Sequence, residues 1–132
     1  MYFNFMIKVF TYAAFFILSL LFRPFVSVKS GLYVFGSRGG KGFDGGIKHL
    51  FDVASQNPNI NAVFLRKGKS EYEYMLNYYG FKSFFTVLRA EKVFITHSFT
   101  DVTPCLYSKK TMLINVWHGA PIKKNWTARP EY

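Results

Sequence analysis

The chain has 132 residues, of which 17 are Lys or Arg and 7 are Asp or Glu, giving a formal charge of +10. Half of the residues are hydrophobic and 20% are aromatic, which excludes a disordered chain and supplies the core of one domain. The single cysteine, Cys105, excludes an internal disulfide, and no Cys or His cluster has the spacing of metal ligands. We therefore predict neither a disulfide-stapled scaffold nor a bound metal or other cofactor.

The positive charge is distributed along the whole chain. Residues 1–66 contain 7 basic and 2 acidic side chains, and residues 67–132 contain 10 and 5. This diffuse excess favours a polyanionic partner, which could be nucleic acid, an anionic membrane surface or a phosphorylated substrate. The sequence has no basic recognition helix and no RNP-type aromatic motif, so nucleic acid is not the predicted partner.

The N-terminal segment is predicted to be a hydrophobic helix that associates with a membrane. The 14 uncharged residues between Lys8 and Arg23 would span about 21 Å as a helix, short of a hydrocarbon layer of about 30 Å. Its few polar residues lie on one stripe, so the helix either lies in the interface or spans obliquely. The alternative is a buried helix of a soluble domain. Three basic residues follow the helix: Lys29, Arg38 and Lys41. Because basic residues next to a membrane segment favour the cytoplasmic side, we predict that the domain lies at the cytoplasmic face of the cell membrane.

Residues 1–30 are predicted to form this helix and a hinge, and residues 31–132 a Rossmann-like α/β domain. Strands are predicted for the β-rich runs Leu32–Phe35, Ala62–Leu65, Phe84–Val87, Val93–Thr96 and Met112–Trp117. Two segments between them have helical spacing of apolar residues: Gly46–Ser55, capped by Asp44, and Lys69–Tyr79, closed by Gly80. Alternating strands and helices are typical of a parallel sheet covered by helices.

The loop after the first predicted strand is rich in glycine and basic residues, and it precedes the first helix of the domain. Backbone N–H groups of glycines, with a helix N-terminus behind them, can bind an anion, so this loop is a candidate phosphate site. A flexible surface loop is the alternative, because the loop matches neither the Walker nor the dinucleotide fingerprint. The candidate residues are Gly36, Ser37, Arg38, Gly39, Gly40 and Lys41.

A second candidate site follows the last predicted strand. His118 comes at the end of that strand, and Gly119 permits a sharp turn after it. Ligands bind at the carboxyl ends of parallel strands, so His118 could act there as a general base, with Lys123 and Lys124 close to phosphates. The alternative is a turn histidine that bonds to the backbone. Two other histidines are weaker candidates: His49 and His97.

The segment INVWHGAPIKK, residues 114–124, resembles the LWHG-x-P-K-K segment of the CDP-glycerol:poly(glycerophosphate) glycerophosphotransferase family. The sequence departs from the family pattern before the lysine of the first helix, where Gly45-Gly46 stands in place of the common Asp-Asn. Any contact that the Asp-Asn pair makes with the acceptor is therefore not expected here. Four upstream segments also resemble the family and occur in the same order: Tyr33–Ser37, Phe43 with Lys48–Phe51, Asn57-Pro58 with Ala62–Leu65, and Ala90–Thr96. Together with the WHG segment, the resemblance covers residues 32–125.

The resemblance implies a two-domain GT-B architecture, of which this chain is the N-terminal, acceptor-side half. It implies transfer of glycerol phosphate from CDP-glycerol, or of the ribitol analogue from CDP-ribitol, to a lipid-linked glycerophosphate polymer in teichoic acid or capsular polysaccharide synthesis. His118 would be the general base, and the glycine-rich loop with Gly119, Lys123 and Lys124 would bind phosphates.

The resemblance also implies that a second half carries most of the donor site and a second catalytic histidine. We therefore expect this chain to be incomplete as an enzyme and to need a separate C-terminal half. The alternative is a non-catalytic remnant that binds the membrane or the polymer.

Overall fold

The computed structural model describes residues 2–42, 45–68, 75–105 and 107–116. The chain begins with the long helix α1 and then alternates strands with two shorter helices. The helices are α1 (Tyr2–Phe22), α2 (Gly45–Ser55) and α3 (Phe81–Arg89), and the strands are β1 (Lys29–Phe35), β2 (Asn61–Arg66), β3 (Met75–Asn77), β4 (Ala90–Ile95) and β5 (Met112–Asn115).

The five strands form one parallel sheet in the order β3-β2-β1-β4-β5. In the register of the central strands, Val34 pairs with Val63 on β2 and with Val93 on β4. Parallel strands need crossover connections, and α2 and α3 supply two of them. The predicted α/β class and the parallel sheet of a Rossmann-like half domain are confirmed.

Both faces of the sheet are covered, because successive strand residues point to opposite sides. Val34 contributes to the hydrophobic cluster under α3 and α1, whereas Phe35 contributes to the cluster under α2. The first cluster also contains Phe84, Val87 and Leu88 of α3, and the second contains Ile47 and Phe51 of α2. Each of these large side chains, once buried, contributes roughly 1.5–3 kcal/mol to folding.

Two predicted elements between β2 and β4 are wrong. Met75–Asn77, predicted as the end of a helix, forms the edge strand β3, and residues 69–74 of that prediction lie outside the described residues. Phe84–Val87, predicted as a strand, lies inside α3. Phe84, Val87 and Leu88 are buried at three- and four-residue spacing, which is the helical period. Gly80 precedes α3 with a φ of −77°, so it does not adopt the predicted left-handed cap.

The second half of α1 packs on the domain along one face, whereas residues 2–10 are exposed on all sides. Phe15 stacks on Phe84 of α3 at 5.6 Å between ring centroids, and Ser19 is fully buried. Large apolar residues on the outer side, among them Phe10 and Ile17, are more than half exposed. The helix is therefore not buried, as it would be in the alternative of a soluble domain with a core helix. By length and composition, one helical stretch among the described residues, residues 2–25, could cross a membrane.

A short segment connects α1 to the sheet. Arg23–Phe25 forms a single turn of 3-10 helix directly after α1, and its Arg23 side chain has buried Nε and Nη2 atoms. Lys29, Ser30 and Gly31 already belong to β1. The link between α1 and the sheet is therefore reduced to the three residues 26–28.

Candidate functional site

The order of the strands places a switch point at the carboxyl edge of the sheet, and we call the region around it the crevice. After β1 the chain adds β2 and β3 on one side, and it then returns to add β4 and β5 on the other. The connections that follow β1 and β4 therefore run to strands on opposite sides of the sheet, and such a switch point is where open α/β sheets bind ligands. The two loops comprise residues 36–42 and 96–101.

The glycine-rich loop forms a tight turn with left-handed backbone conformations. Arg38, Gly39 and Gly40 have φ angles of 48°, 62° and 86°. The N–H groups of Gly40 and Gly42 both donate to the carbonyl of Ser37, at 3.0 and 3.2 Å. Glycine adopts positive φ without the steric cost that a Cβ brings, so Gly39 and Gly40 suit this turn, whereas Arg38 is a non-glycine residue in the left-handed region.

Two glycines of the loop are also required by close packing. A Cβ on Gly36 would lie 2.6 Å from Cγ1 of Val102 and would press against the carbonyl oxygen of Asp101. A Cβ on Gly40 would lie 2.7 Å from the ring of Tyr78. At these two positions the loop therefore lies in close contact with the neighbouring segments.

Most of the backbone N–H groups that could have bound an external anion donate within the chain. The N–H of Gly36 donates to the carbonyl of Phe94 at 3.0 Å, and that of Lys41 donates to the carbonyl of Arg38 at 3.2 Å. The N–H of Gly39 donates to Oδ1 of Asp101 at 2.8 Å. An internal carboxylate thus occupies a position that the sequence suggests for a phosphate.

Asp101 joins the two loops of the crevice. Its fully buried carboxylate accepts from the N–H of Gly39 through Oδ1 and, through Oδ2, from the N–H groups of Thr96 and His97 at 2.8 and 2.7 Å. Ser98 and Asp101 also form a capping box at the start of a short 3-10 turn. A buried charge needs hydrogen bonds to offset its lost hydration, and here the backbone of both loops supplies them.

A chain of hydroxyl groups connects the glycine-rich loop with an exposed imidazole. Ser37 Oγ lies 2.8 Å from Thr96 Oγ1, which lies 2.7 Å from Nδ1 of His97. Ser37 and Thr96 are buried, whereas His97 is exposed at the rim of the crevice. This hydrogen bond fixes the orientation of the His97 ring.

Basic and aromatic side chains surround the glycine-rich loop. The Arg38 guanidinium lies over its own turn, because a Cβ on Gly42 would be 2.6 Å from Arg38 Nε. Lys41 is exposed. The N–H of Lys67, after β2, donates to the carbonyl of Gly40 at 2.7 Å, and its Nζ lies 4.8 Å from the ring centre of Tyr78. These cations give the carboxyl edge a positive potential that suits a phosphorylated ligand.

The Tyr78 hydroxyl is part of the structure of this edge rather than a proton carrier. It donates to the carbonyl of Thr100 at 2.6 Å. Burial, followed by the proximity of Tyr12, raises the pKa of Tyr78 far above its ordinary value. The phenol therefore stays protonated at neutral pH and acts as a hydrogen-bond donor.

The predicted residues of the second site lie outside the described residues: His118, Gly119, Lys123 and Lys124. The strand that leads toward them is described, and it lies beside β4. The N–H of Val116 donates to the carbonyl of Ile95 at 2.8 Å, so the chain reaches the carboxyl edge next to Thr96. His49, the other weak candidate, is exposed on α2. Over the described ranges, no group of three or more His, Cys, Asp or Glu side chains could hold a metal ion.

Sequence reasoning missed Asp101 and Thr96 as members of the site. The spacing of Ser98 and Asp101, which fits a capping box, was the available local signal for Asp101. Its contact with Gly39 has no local signal, since 62 residues separate the two.

Comparison with known proteins gives one match. The family model described as CDP-Glycerol:Poly(glycerophosphate) glycerophosphotransferase matches residues 17–129, which is most of the chain. The search of curated proteins and the search of solved structures give no match.

Proposed function

This chain belongs to the CDP-glycerol:poly(glycerophosphate) glycerophosphotransferase family, and we propose that it forms the acceptor-side half of a glycerophosphotransferase active site. The proposed reaction transfers glycerol phosphate from CDP-glycerol to a lipid-linked polymer in teichoic acid or capsular polysaccharide synthesis. A second, donor-side half would complete a GT-B architecture, either in a longer chain or as a separate protein.

The observation that carries the proposal is the crevice between β1 and β4. It lies at the switch point of a parallel sheet, and its glycine-rich loop is hydrogen-bonded to the buried Asp101. Preorganised loops of this kind can hold a phosphorylated substrate without further ordering cost. Because several loop N–H groups are bonded internally, we assign phosphate binding mainly to side chains, with Arg38 and Lys41 on this loop and Lys123 and Lys124 beyond β5.

In the proposed mechanism His118 is the general base. The terminal hydroxyl of the acceptor gives its proton to the imidazole as its oxygen attacks the β-phosphorus of CDP-glycerol. A new O–P bond forms, the bridging P–O bond breaks, and CMP leaves with the electron pair of that bond. The lysines and the positive loop stabilise the charge on the transferred phosphoryl oxygens. The first described residues upstream of His118 lie at the carboxyl edge, which supports this role.

We further propose that α1 keeps the chain at the cytoplasmic face of the cell membrane. Its outer side exposes Phe10, Ile17 and Leu21, which are 68%, 58% and 62% accessible, and apolar area of this size favours burial in lipid. A membrane-bound enzyme meets a lipid-linked acceptor at a high local concentration.

The test measures CMP release from CDP-glycerol in the presence of a lipid-linked glycerophosphate acceptor. The full chain is assayed alone and with a supplied C-terminal half from a family member, and we expect release with the added half. His118→Ala should reduce the rate at least a hundredfold, within the usual range for loss of a general base, whereas His49→Ala on the exposed side of α2 should retain it. If no preparation releases CMP, the chain is the non-catalytic alternative.

A further inference from the structure

A groove of about 700 Å³ lies between α3 and the sheet, and it extends to the amino edge, away from the crevice. One wall is a single face of α3, formed by Lys82, Phe85, Thr86 and Arg89 at helical spacing. The opposite wall includes Lys29 and Asn61, the first residues of β1 and β2. The apolar floor consists of Leu32, Ala62, Val63 and Leu76.

Three cations surround this apolar floor. Arg89 directly precedes Ala90, the partner of Lys29 in the sheet, so Arg89 and Lys29 lie at one end of the groove. Lys82 is seven residues earlier on α3, roughly 10 Å away along the helix axis. Over the ranges that the structure describes, none of the three has an ion-pair partner. A ligand that pairs with these cations and also covers the apolar floor needs an anionic group joined to a hydrocarbon portion.

The groove is continuous with the exposed apolar surface of α1. Phe22, the last residue of α1, contacts Phe85 in the groove wall with 5.3 Å between ring centroids. Leu20 and Leu21, immediately before it, are 59% and 62% accessible. Lipid that covers the outer side of α1 would therefore meet the groove at the level of Phe22, where apolar surface gives way to cations.

We propose that this groove binds an anionic glycerophospholipid, with the headgroup phosphate between Lys29, Lys82 and Arg89 and the adjoining hydrocarbon on the apolar floor. The ligand is a lipid of the membrane that α1 contacts. The inference rests on the membrane association in the proposed function and is independent of the transfer reaction.

The test compares binding of the full chain to vesicles of phosphatidylcholine alone and to vesicles that also contain phosphatidylglycerol. The groove variant is Lys82→Gln with Arg89→Gln. The matched control is Lys109→Gln with Lys110→Gln, an exposed pair that gives the same loss of charge. Each cation near an anionic surface is worth about 1 kcal/mol, so the groove variant should lose about tenfold or more of its affinity for the anionic vesicles. The control should lose about twofold or less, since Lys109 and Lys110 do not line the groove.

The proposal is overturned if both pairs reduce anionic binding equally, because diffuse charge would then explain it, or if the wild type does not prefer the anionic vesicles. A second measurement titrates monomeric dihexanoyl phosphatidylglycerol and inorganic phosphate separately. Saturable binding of the lipid that phosphate does not displace supports the proposal, and equal binding of phosphate contradicts the role of the apolar floor. Neither measurement uses CDP-glycerol, so failure of the transfer reaction is detected separately by CMP release.

Discussion

Gly36 occupies the point where β1 passes beneath Asp101, and its lack of a side chain is a packing requirement. The φ angle of Gly36 is not positive, so glycine is required here by the lack of room for a Cβ and not by the backbone conformation. The nearest atoms belong to the backbone and side chain of residues 101 and 102, which are themselves buried. Backbone atoms cannot rotate away as the end of a flexible side chain can.

We therefore predict that Gly36→Ala destabilises the domain by about 2 kcal/mol or more, as overpacking of a buried site does. The matched control is Gly46→Ala in the first turn of α2, where a Cβ meets nothing within 4 Å. Alanine should stabilise that helix by up to about 1 kcal/mol. Urea unfolding followed by circular dichroism measures both. Equal effects of the two changes would show that the contact with Asp101 is not tight.

Among the elements, α1 has one side that packs on the domain and another that is apolar and exposed. Its inner side packs through Phe15 on α3 and is needed for folding, whereas its outer side is apolar and exposed. Over the second half of α1, where Phe15 and Ser19 are buried against the domain, the helix cannot also be surrounded by lipid. The packing therefore favours a helix that lies in the membrane interface over one that spans it.

This arrangement predicts different effects for the two sides of α1. Ile17→Ser with Leu21→Ser should reduce vesicle affinity about tenfold or more and leave the free energy of unfolding unchanged, because both side chains are exposed. Phe15→Ala should lower the free energy of unfolding by about 3 kcal/mol with little effect on vesicle affinity. Vesicle sedimentation and urea unfolding provide the two measurements. A spanning helix would instead lose affinity with all three changes.

At the scale of the whole molecule, two weak acids lie in or beside the core: Cys105 is buried and Tyr107 is half-buried. Burial raises the pKa of the Cys105 thiol from its ordinary value of 9.0 to about 12, and the nearby Arg23 charge only partly opposes this shift. Burial also raises the pKa of Tyr107, with a smaller effect of Cys105. In each case the folded state holds its proton to a higher pH than the unfolded state does.

The sign of the resulting pH dependence follows from these shifts. Below pH 9 both states bind the thiol proton, and between pH 9 and about 12 the unfolded state releases it first. We predict that the free energy of unfolding falls as the pH rises through this interval. Cys105→Ala should make the decline shallower, while Tyr2→Phe, at an exposed phenol, should not change it. Urea titrations at a series of pH values measure the slope, and an unchanged slope for Cys105→Ala would contradict the assignment.

The local pattern of the sequence determined most of the architecture. Strands β1, β2, β4 and β5 and helix α2 follow from apolar periodicity and turn residues, which act over a few neighbours and are visible in any window of the chain. The apolar character of α1 is equally local. The resemblance of the WHG segment identified the family that the comparison then showed.

The tertiary structure decided the identity of β3 and the hydrogen bonding of the crevice. The aromatic residues from Met75 to Arg89 favour a strand by composition, although Phe84, Val87 and Leu88 have helical spacing. Contact with β2 places Met75–Asn77 in the sheet. The bonds that lock the crevice join Ser37 to Thr96 and Gly39 to Asp101, across 59 and 62 residues. Their energy depends on positions that the folded sheet alone brings together, so no local pattern could reveal that the loop binds an internal carboxylate.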